Sequence, residues 1–364
     1  MLQFAPGRLD LARRRRGLTK AGLAELMGVT PRALTFYLAE KRVPSTTAVD
    51  EVAEALDFPS AFFYAPELAE PPVDGVSFRS LSAMTATQRD KVVGAAAIAL
   101  QFDDWIRERF HLPQPNVPRL RRDDPEAAAE AVREQWGLGQ KRVPNLVHLL
   151  EKQGVRVYSL PEDCKEVDAF SFWRDDAPYV FLNTMKTAQH SRMDAAHELG
   201  HLVLHAWGGP RGRRAEDEAK AFGSAFLMPR RSVMAEAPRP GNVRQIIAAK
   251  QKWDVSAMAL AYRMAKVGIL SDWQARAVYS QLGQLGYRSA EPDSRPLARE
   301  TSQVLAKVFD ALRAEGESRA TVARDLSIGI NELNASIFGL VLTSVSGSGG
   351  AASQSTARPD LRLA

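Results

Sequence analysis

The five-residue segment HELGH at 197–201 constrains this chain most, because its two histidines are four residues apart. On an α-helix, this spacing places both imidazoles on one face, one turn apart, where they can bind one zinc ion. Glu198 can then take a proton from a metal-bound water, since it is a base and not a ligand. The pattern predicts a buried helix over 186–206 with a zinc site. The alternative is a surface helix with two incidental histidines.

A catalytic zinc needs a third protein ligand and an open position for water. A second helix is predicted over 215–228, and its first turn contains Glu216 and Glu218. Glu218 borders the apolar face of this helix and is predicted as the third ligand, with Glu216 as second choice. His205 follows His201 by one turn and can bind substrate, stabilise an oxyanion or simply cap the helix. Zn²⁺ suits nitrogen and carboxylate ligands best, although Mn²⁺ or another divalent metal is compatible with them.

The overall composition, 45% hydrophobic and 25% charged, is that of a globular protein, and 364 residues predict two or three domains. The single cysteine, Cys164, excludes an intramolecular disulfide and a cysteine-rich metal site, and it fits a reducing compartment. No apolar run approaches the roughly 20 residues of a membrane span, and no secretory signal is evident. We therefore expect a bacterial cytoplasmic protein, associated with the nucleoid and not with a membrane.

The N-terminal part of the chain is basic. Residues 1–44 contain nine Lys and Arg residues and three acidic ones, whereas the whole chain carries a net charge of +5. A concentration of positive charge indicates a polyanionic partner, or else a solvated basic face.

Residue patterns divide the chain into five parts and predict a mostly α fold with a small β-sheet. Two family resemblances, carried by the segments quoted below, imply that this is an α+β zincin-like domain preceded by an all-α helix-turn-helix domain. Short runs rich in β-branched and aromatic residues predict three strands within 154–183, of which 178–183 is either the sheet edge that pairs with a substrate or a plain core strand. The predicted parts are a domain at 1–64, a linker at 65–76, a domain at 77–270, a helical region at 271–343 and a disordered tail at 344–364. The resemblances imply that the first domain binds DNA and that the second is a peptidase domain.

The first part resembles the XRE (Cro/CI-like) helix-turn-helix family through LTKAGLAELMGVTPRALTFYLAEKRVPS and VDEVAEALDFPSAFFY. The resemblance implies binding to double-stranded DNA, with the helix after Thr30 in the major groove. Arg32, Thr35 and Phe36 would then face the bases, Arg32 reading guanine and Phe36 meeting a thymine methyl, a dimer partner or another domain. Phosphate contacts are expected from Lys20, Lys41 and Arg42. Lys20 and the segment YLAEKR depart from the family pattern, so the operator is not defined, and a homodimer is an open prediction.

The HELGH region resembles the ImmA/IrrE family of metallopeptidases, related to the thermolysin-like zincins. The matching segments are DAAHELGHLVLH, EDEAKAFGSAFLMP, VDAFSFW and PYVFLN. The resemblance implies metal ligands at His197, His201 and Glu218, with Glu198 as general base. It also implies a protein substrate, a repressor encoded nearby that controls a stress, phage or mobile-element response. The alternative is a transcriptional regulator or antitoxin whose zincin domain is a sensor or platform with little proteolysis.

The segment SRATVARDLSIGINELNASIFGL, within 297–342, also has a helix-turn-helix pattern. Because its exposed positions carry few basic residues, a plain helical bundle or a dimerisation element is the preferred interpretation.

Overall fold

The computed structural model describes residues 3–72, 84–121, 124–164, 166–207, 212–239, 242–288, 290–292 and 296–341. Most of these residues are helical and three short strands form a single sheet, which confirms the predicted fold class. The predicted tail at 344–364 lies outside the described residues, as does part of the linker. Residues 65–72 contain neither helix nor strand. Within the described ranges, no helix combines the length and apolarity needed to cross a bilayer.

Four helices and a short 3₁₀ segment build the N-terminal domain: α1 (Pro6–Arg15), α2 (Lys20–Leu26), α3 (Pro31–Leu38), α4 (Thr46–Ala55) and Ser60–Tyr64. Thr19, Thr30 and Ser45 each accept a hydrogen bond from a backbone N–H at the start of the following helix. Serine and threonine are favoured at N-caps, because each side-chain oxygen satisfies a backbone donor that the helix leaves open. Leucine, valine and phenylalanine side chains from all the helices form the buried core of this domain.

The central region carries α5 (Ala86–Arg109), α6 (Pro125–Gln135), α7 (Leu146–Lys152) and the strands β1 (Arg156–Ser159), β2 (Ala169–Arg174) and β3 (Ala177–Leu182). The strand order is β1-β3-β2, with β3 parallel to β1 and antiparallel to β2. Residues 178–183 therefore belong to the central strand and its end, so their interpretation as the sheet edge is wrong. All six side chains of β3 are buried, because the strand is covered on both faces.

Two helices carry the candidate site. Helix α8 (Ala188–Leu204) packs over the sheet against β2 and β3, and α9 (Arg213–Leu227) packs antiparallel on α8. Their backbones approach closely at two glycines. A Cβ added to Gly200 would lie 3.0 Å from the Ala219 carbonyl oxygen, and one added to Gly223 would lie 2.9 Å from the His197 nitrogen. The absence of a side chain at both positions brings the first turn of α9 within reach of the histidines on α8.

Beyond α9, the chain continues as helices: α10 (Arg230–Glu236), α11 (Val243–Ala249), α12 (Ala257–Lys266), α13 (Asp272–Gln284), α14 (Gln303–Ala314), α15 (Arg319–Asp325) and α16 (Ile330–Ile337).

Helices α15 and α16 repeat the geometry of α2 and α3 at a constant offset along the chain. The paired helices have equal lengths, and Ser318 caps α15 as Thr19 caps α2. Ser327 has a positive φ of 54°, where Gly28 has 60°, and the same backbone hydrogen bonds close both turns. The segment is therefore a helix-turn-helix hairpin in its backbone, and its interpretation as part of a bundle or as a dimerisation element stays a prediction. Its second helix, α16, packs against α5 and β1.

The four consecutive arginines at 13–16 form ion pairs with acidic residues of the same chain. Arg15 donates to Glu332 of α16 and to Asp163, both at 2.9 Å, and Arg16 also pairs with Glu332. Arg13 and Arg14 form ion pairs with acidic residues of the N-terminal region. The basic charge counted in 1–44 is therefore partly neutralised by internal pairing and does not all face a polyanion.

Replacing Glu332 by Ala is expected to lower the free energy of unfolding by about 3 kcal/mol, because it leaves the buried guanidinium of Arg15 without one of its charged partners. Arg15 is 5% exposed and Glu332 is 4% exposed. Urea unfolding measures the change, with the exposed Glu315→Ala as control. A loss no larger than that of the control would show that this ion pair does not stabilise the docking of α16 on α1.

Candidate metal centre and DNA interface

Helix α8 begins after Thr187, whose hydroxyl accepts from the backbone N–H of His190, and ends at His205. The residues between the histidines and around them are buried, as predicted: Ala195, Ala196, Leu199, Leu202 and Val203. This apolar back anchors α8 on the sheet and turns the imidazoles of His197 and His201 toward α9.

Three side chains converge at the crossing of α8 and α9. The Nε2 atoms of His197 and His201 are 3.0 Å apart. Glu216 places one carboxylate oxygen 3.2 Å from His197 Nε2 and the other 3.5 Å from His201 Nε2. Ligands held at 2.0–2.1 Å by a tetrahedral zinc lie about 3.4 Å from one another. The spacing and the donor types therefore fit a single divalent cation.

The predicted third ligand, Glu218, lies elsewhere. One of its oxygens is 3.1 Å from His205 Nε2 and the other accepts from Arg214 Nε at 2.8 Å. Residues two apart on a helix point about 200° apart, so Glu216 and Glu218 cannot both reach the imidazoles of His197 and His201. Glu216 shares its face with Ala219 and Gly223, which touch α8. Glu216, the second choice from the sequence, therefore lies against both imidazoles, and Glu218, the first choice, does not.

Glu198 is 4% exposed, and its carboxylate is hydrogen-bonded to a residue of the sheet. The hydroxyl of Ser171 on β2 donates to its carboxylate at 2.6 Å. Sequence reasoning did not single out Ser171, although a serine between two phenylalanines in a strand is an available signal. The contact fixes the carboxylate beside the metal ligands.

Charged groups are concentrated around this site. Burial alone would raise the pKa of Glu216, but hydrogen bonds from His197 and His201 outweigh it and hold the pKa well below its ordinary value. Burial raises the pKa of Asp194, one turn before His197, to about 6 despite the nearby Lys186. The Glu216 carboxylate therefore stays ionised against both imidazoles, which favours a bound cation.

His205 contacts His201 on the side of the ring away from Glu216. Their Nδ1 atoms are 3.0 Å apart, and the backbone N–H of His205 donates to the His201 carbonyl at the end of α8. His205 is therefore the C-cap residue of α8 through its backbone, while both of its ring nitrogens have partners within the protein.

The predicted DNA-reading residues lie on or beside α3. Arg32 and Thr35 are exposed, and the Arg32 guanidinium lies 5.6 Å from the ring centroid of the half-buried Phe36. The hydroxyl of Thr30 is used to cap α3. Leu34 and Tyr37 are buried, as expected for the inward face, whereas Lys20, Lys41 and Arg42 are exposed.

Two family models match the chain, one across the candidate metal centre and one across the N-terminal domain. Residues 150–265 match the model described as the IrrE N-terminal-like domain of peptidase type, and residues 9–63 match a helix-turn-helix model. No curated protein matches the chain. Both matches lie within the predicted ranges 77–270 and 1–64, whose boundaries stay predictions. The chain therefore combines an N-terminal XRE-type helix-turn-helix domain with a peptidase-like domain of the ImmA/IrrE type.

Proposed function

We propose that this protein is a DNA-binding, zinc-dependent metallopeptidase that regulates transcription by cleaving a repressor-like protein. The observation that carries the proposal is the convergence of His197, His201 and Glu216, at 3.0–3.5 Å, next to the buried Glu198. The side chains of His197 and Glu216 are 21% and 22% exposed, so the site opens to solvent on one side. Three protein ligands with an open position are typical of catalytic zinc sites, whereas structural sites use four.

A bound zinc would polarise the scissile carbonyl and acidify a water molecule. His197, His201 and Glu216 would hold it. Glu198 accepts the proton of the attacking water and then delivers it to the leaving amine. A carboxylate at this position can act first as general base and then as general acid. Ser171 keeps the Glu198 carboxylate oriented throughout.

The β2 strand offers a place for an extended substrate. It pairs with β3 on one side, and in the described parts of the chain no strand pairs with its other side. Ser171 of β2 contacts Glu198, so a peptide added along this edge would run past the metal site. Main-chain pairing gives affinity without demanding one sequence, as a protein substrate requires.

The cleavage reaction can be tested on repressor-like proteins encoded beside this gene. Each is incubated with the wild-type protein loaded with zinc, with Glu198→Gln, and with wild type treated with a chelator, and new termini are identified by mass spectrometry. We expect cleavage by the zinc-loaded wild type and by Asp217→Asn, the matched control on α9, and no cleavage by Glu198→Gln or by the chelated protein. The same fragments from Glu198→Gln would contradict the proposal.

A second candidate function is a regulator whose peptidase domain serves as a platform. The observation that favours it is the buried pairing of Arg15 and Arg16 with Glu332, which ties the DNA-binding domain to the rest of the chain. An unchanged set of regulated genes in cells carrying Glu198→Gln would favour this function over proteolysis.

Arg32→Ala is expected to weaken binding to the preferred DNA site by about 1–3 kcal/mol and to relax its sequence preference, because Arg32 is the exposed cation on α3 best placed to read a base. The site is first selected from a random duplex library, and affinities are then measured at fixed salt. Lys20→Ala is the comparison, since loss of a phosphate contact weakens all sequences alike. Inverted half-sites in the selected DNA would support the predicted homodimer. Equal losses on selected and random DNA would contradict base reading by Arg32.

A further inference from the structure

A row of polar side chains extends behind His201, away from Glu216. His201 Nδ1 lies 3.0 Å from His205 Nδ1, and His205 Nε2 lies 3.1 Å from Glu218. Arg214 donates to the second oxygen of Glu218 at 2.8 Å. The first three members are shielded from solvent, whereas Arg214 is 70% exposed.

The positions of the hydrogen atoms in this row follow from its carboxylate end, at Glu218. A carboxylate only accepts, so His205 Nε2 carries a hydrogen and donates to Glu218. His205 in its neutral form then has an unprotonated Nδ1 that accepts, and His201 Nδ1 must be the donor. His201 is thereby left with a lone pair on Nε2, the atom that faces Glu216 and His197.

We propose that His205 is a positioning residue for the metal ligand His201, and that Glu218 fixes the orientation and tautomer of His205. The inference rests on the proposed zinc site. Outer-shell partners of this kind orient a ligating imidazole and raise its basicity, and their removal weakens metal binding by about 10- to 100-fold. The row also gives Glu218 a function that does not require it to touch the metal.

Zinc affinity of the full-length protein, measured by competition with a chromophoric chelator, tests this directly and does not depend on catalysis. We expect His205→Phe to bind zinc about 10- to 100-fold more weakly than wild type. His205→Gln should recover part of the loss, because its amide oxygen can accept from His201 while its amide nitrogen donates to Glu218. Glu218→Gln should weaken binding to a similar or smaller degree than His205→Phe.

Asp217→Asn is the matched control, because Asp217 lies on the same turn of α9 but is 69% exposed. Its zinc affinity should equal that of wild type. If His205→Phe binds one zinc with an affinity within twofold of wild type, His205 does not position His201. The proposed zinc site would not be contradicted by this result. A wild-type protein that binds no zinc would overturn both. The rescue by His205→Gln separates positioning from a general loss of folding.

Discussion

Glu198→Gln is expected to lower metal-dependent peptide cleavage by about a thousandfold while leaving one zinc bound per chain, because the amide cannot take the proton of the attacking water. The substitution preserves size and shape in a nearly buried position and can still accept the hydrogen bond from Ser171. The fold and the metal ligands should therefore be retained.

Cleavage rates and zinc content of the same preparation measure this effect. Ser171→Ala serves as a companion variant, since it frees the Glu198 carboxylate without removing it and should cause a smaller loss of rate. Retention of more than about a tenth of the wild-type rate by Glu198→Gln would contradict the assignment of Glu198 as general base.

Glu216→Gln is expected to weaken zinc binding by more than about 100-fold, which exceeds the loss expected for an outer-shell partner such as Glu218. The substitution removes the negative charge that lies against both imidazoles and leaves a neutral amide in its place. The order of the two effects distinguishes the ligand from the positioning residue on the same helix.

Equilibrium competition with a chelator gives both affinities, and Asp217→Asn controls for the loss of an acidic residue from α9. Thermal melts in the presence of chelator show whether each variant folds without metal. A larger loss for Glu218→Gln than for Glu216→Gln would reverse the assignment in favour of the original prediction.

The parts of the site that could be predicted from the sequence depend on local geometry. The spacing of His197 and His201 and the caps Thr19 and Thr30 involve contacts within one or two turns of helix. Glu218 was predicted beside the imidazoles in place of Glu216 because the helical pattern showed which face of α9 is apolar, but not where along that face the imidazoles of α8 lie. The crossing at Gly200 and Gly223 decides this, and it is a tertiary contact.

Other contacts could not be predicted because they join distant parts of the chain. Arg15 and Glu332 are 317 residues apart, so the arginine run looked like an exposed basic surface. The repeated hairpin of α15 and α16 was visible as a pattern, whereas its docking against α5 and β1 was not. Sequence periodicity shows that a helix has a buried face but not which element covers it.

The most direct test of the metal centre is zinc-edge anomalous diffraction from crystals of the Glu198→Gln protein grown with zinc. We predict one peak about 2.0–2.2 Å from His197 Nε2, His201 Nε2 and a carboxylate oxygen of Glu216. The absence of a peak between these three residues, or a zinc bound by Glu218 in place of Glu216, would contradict the account.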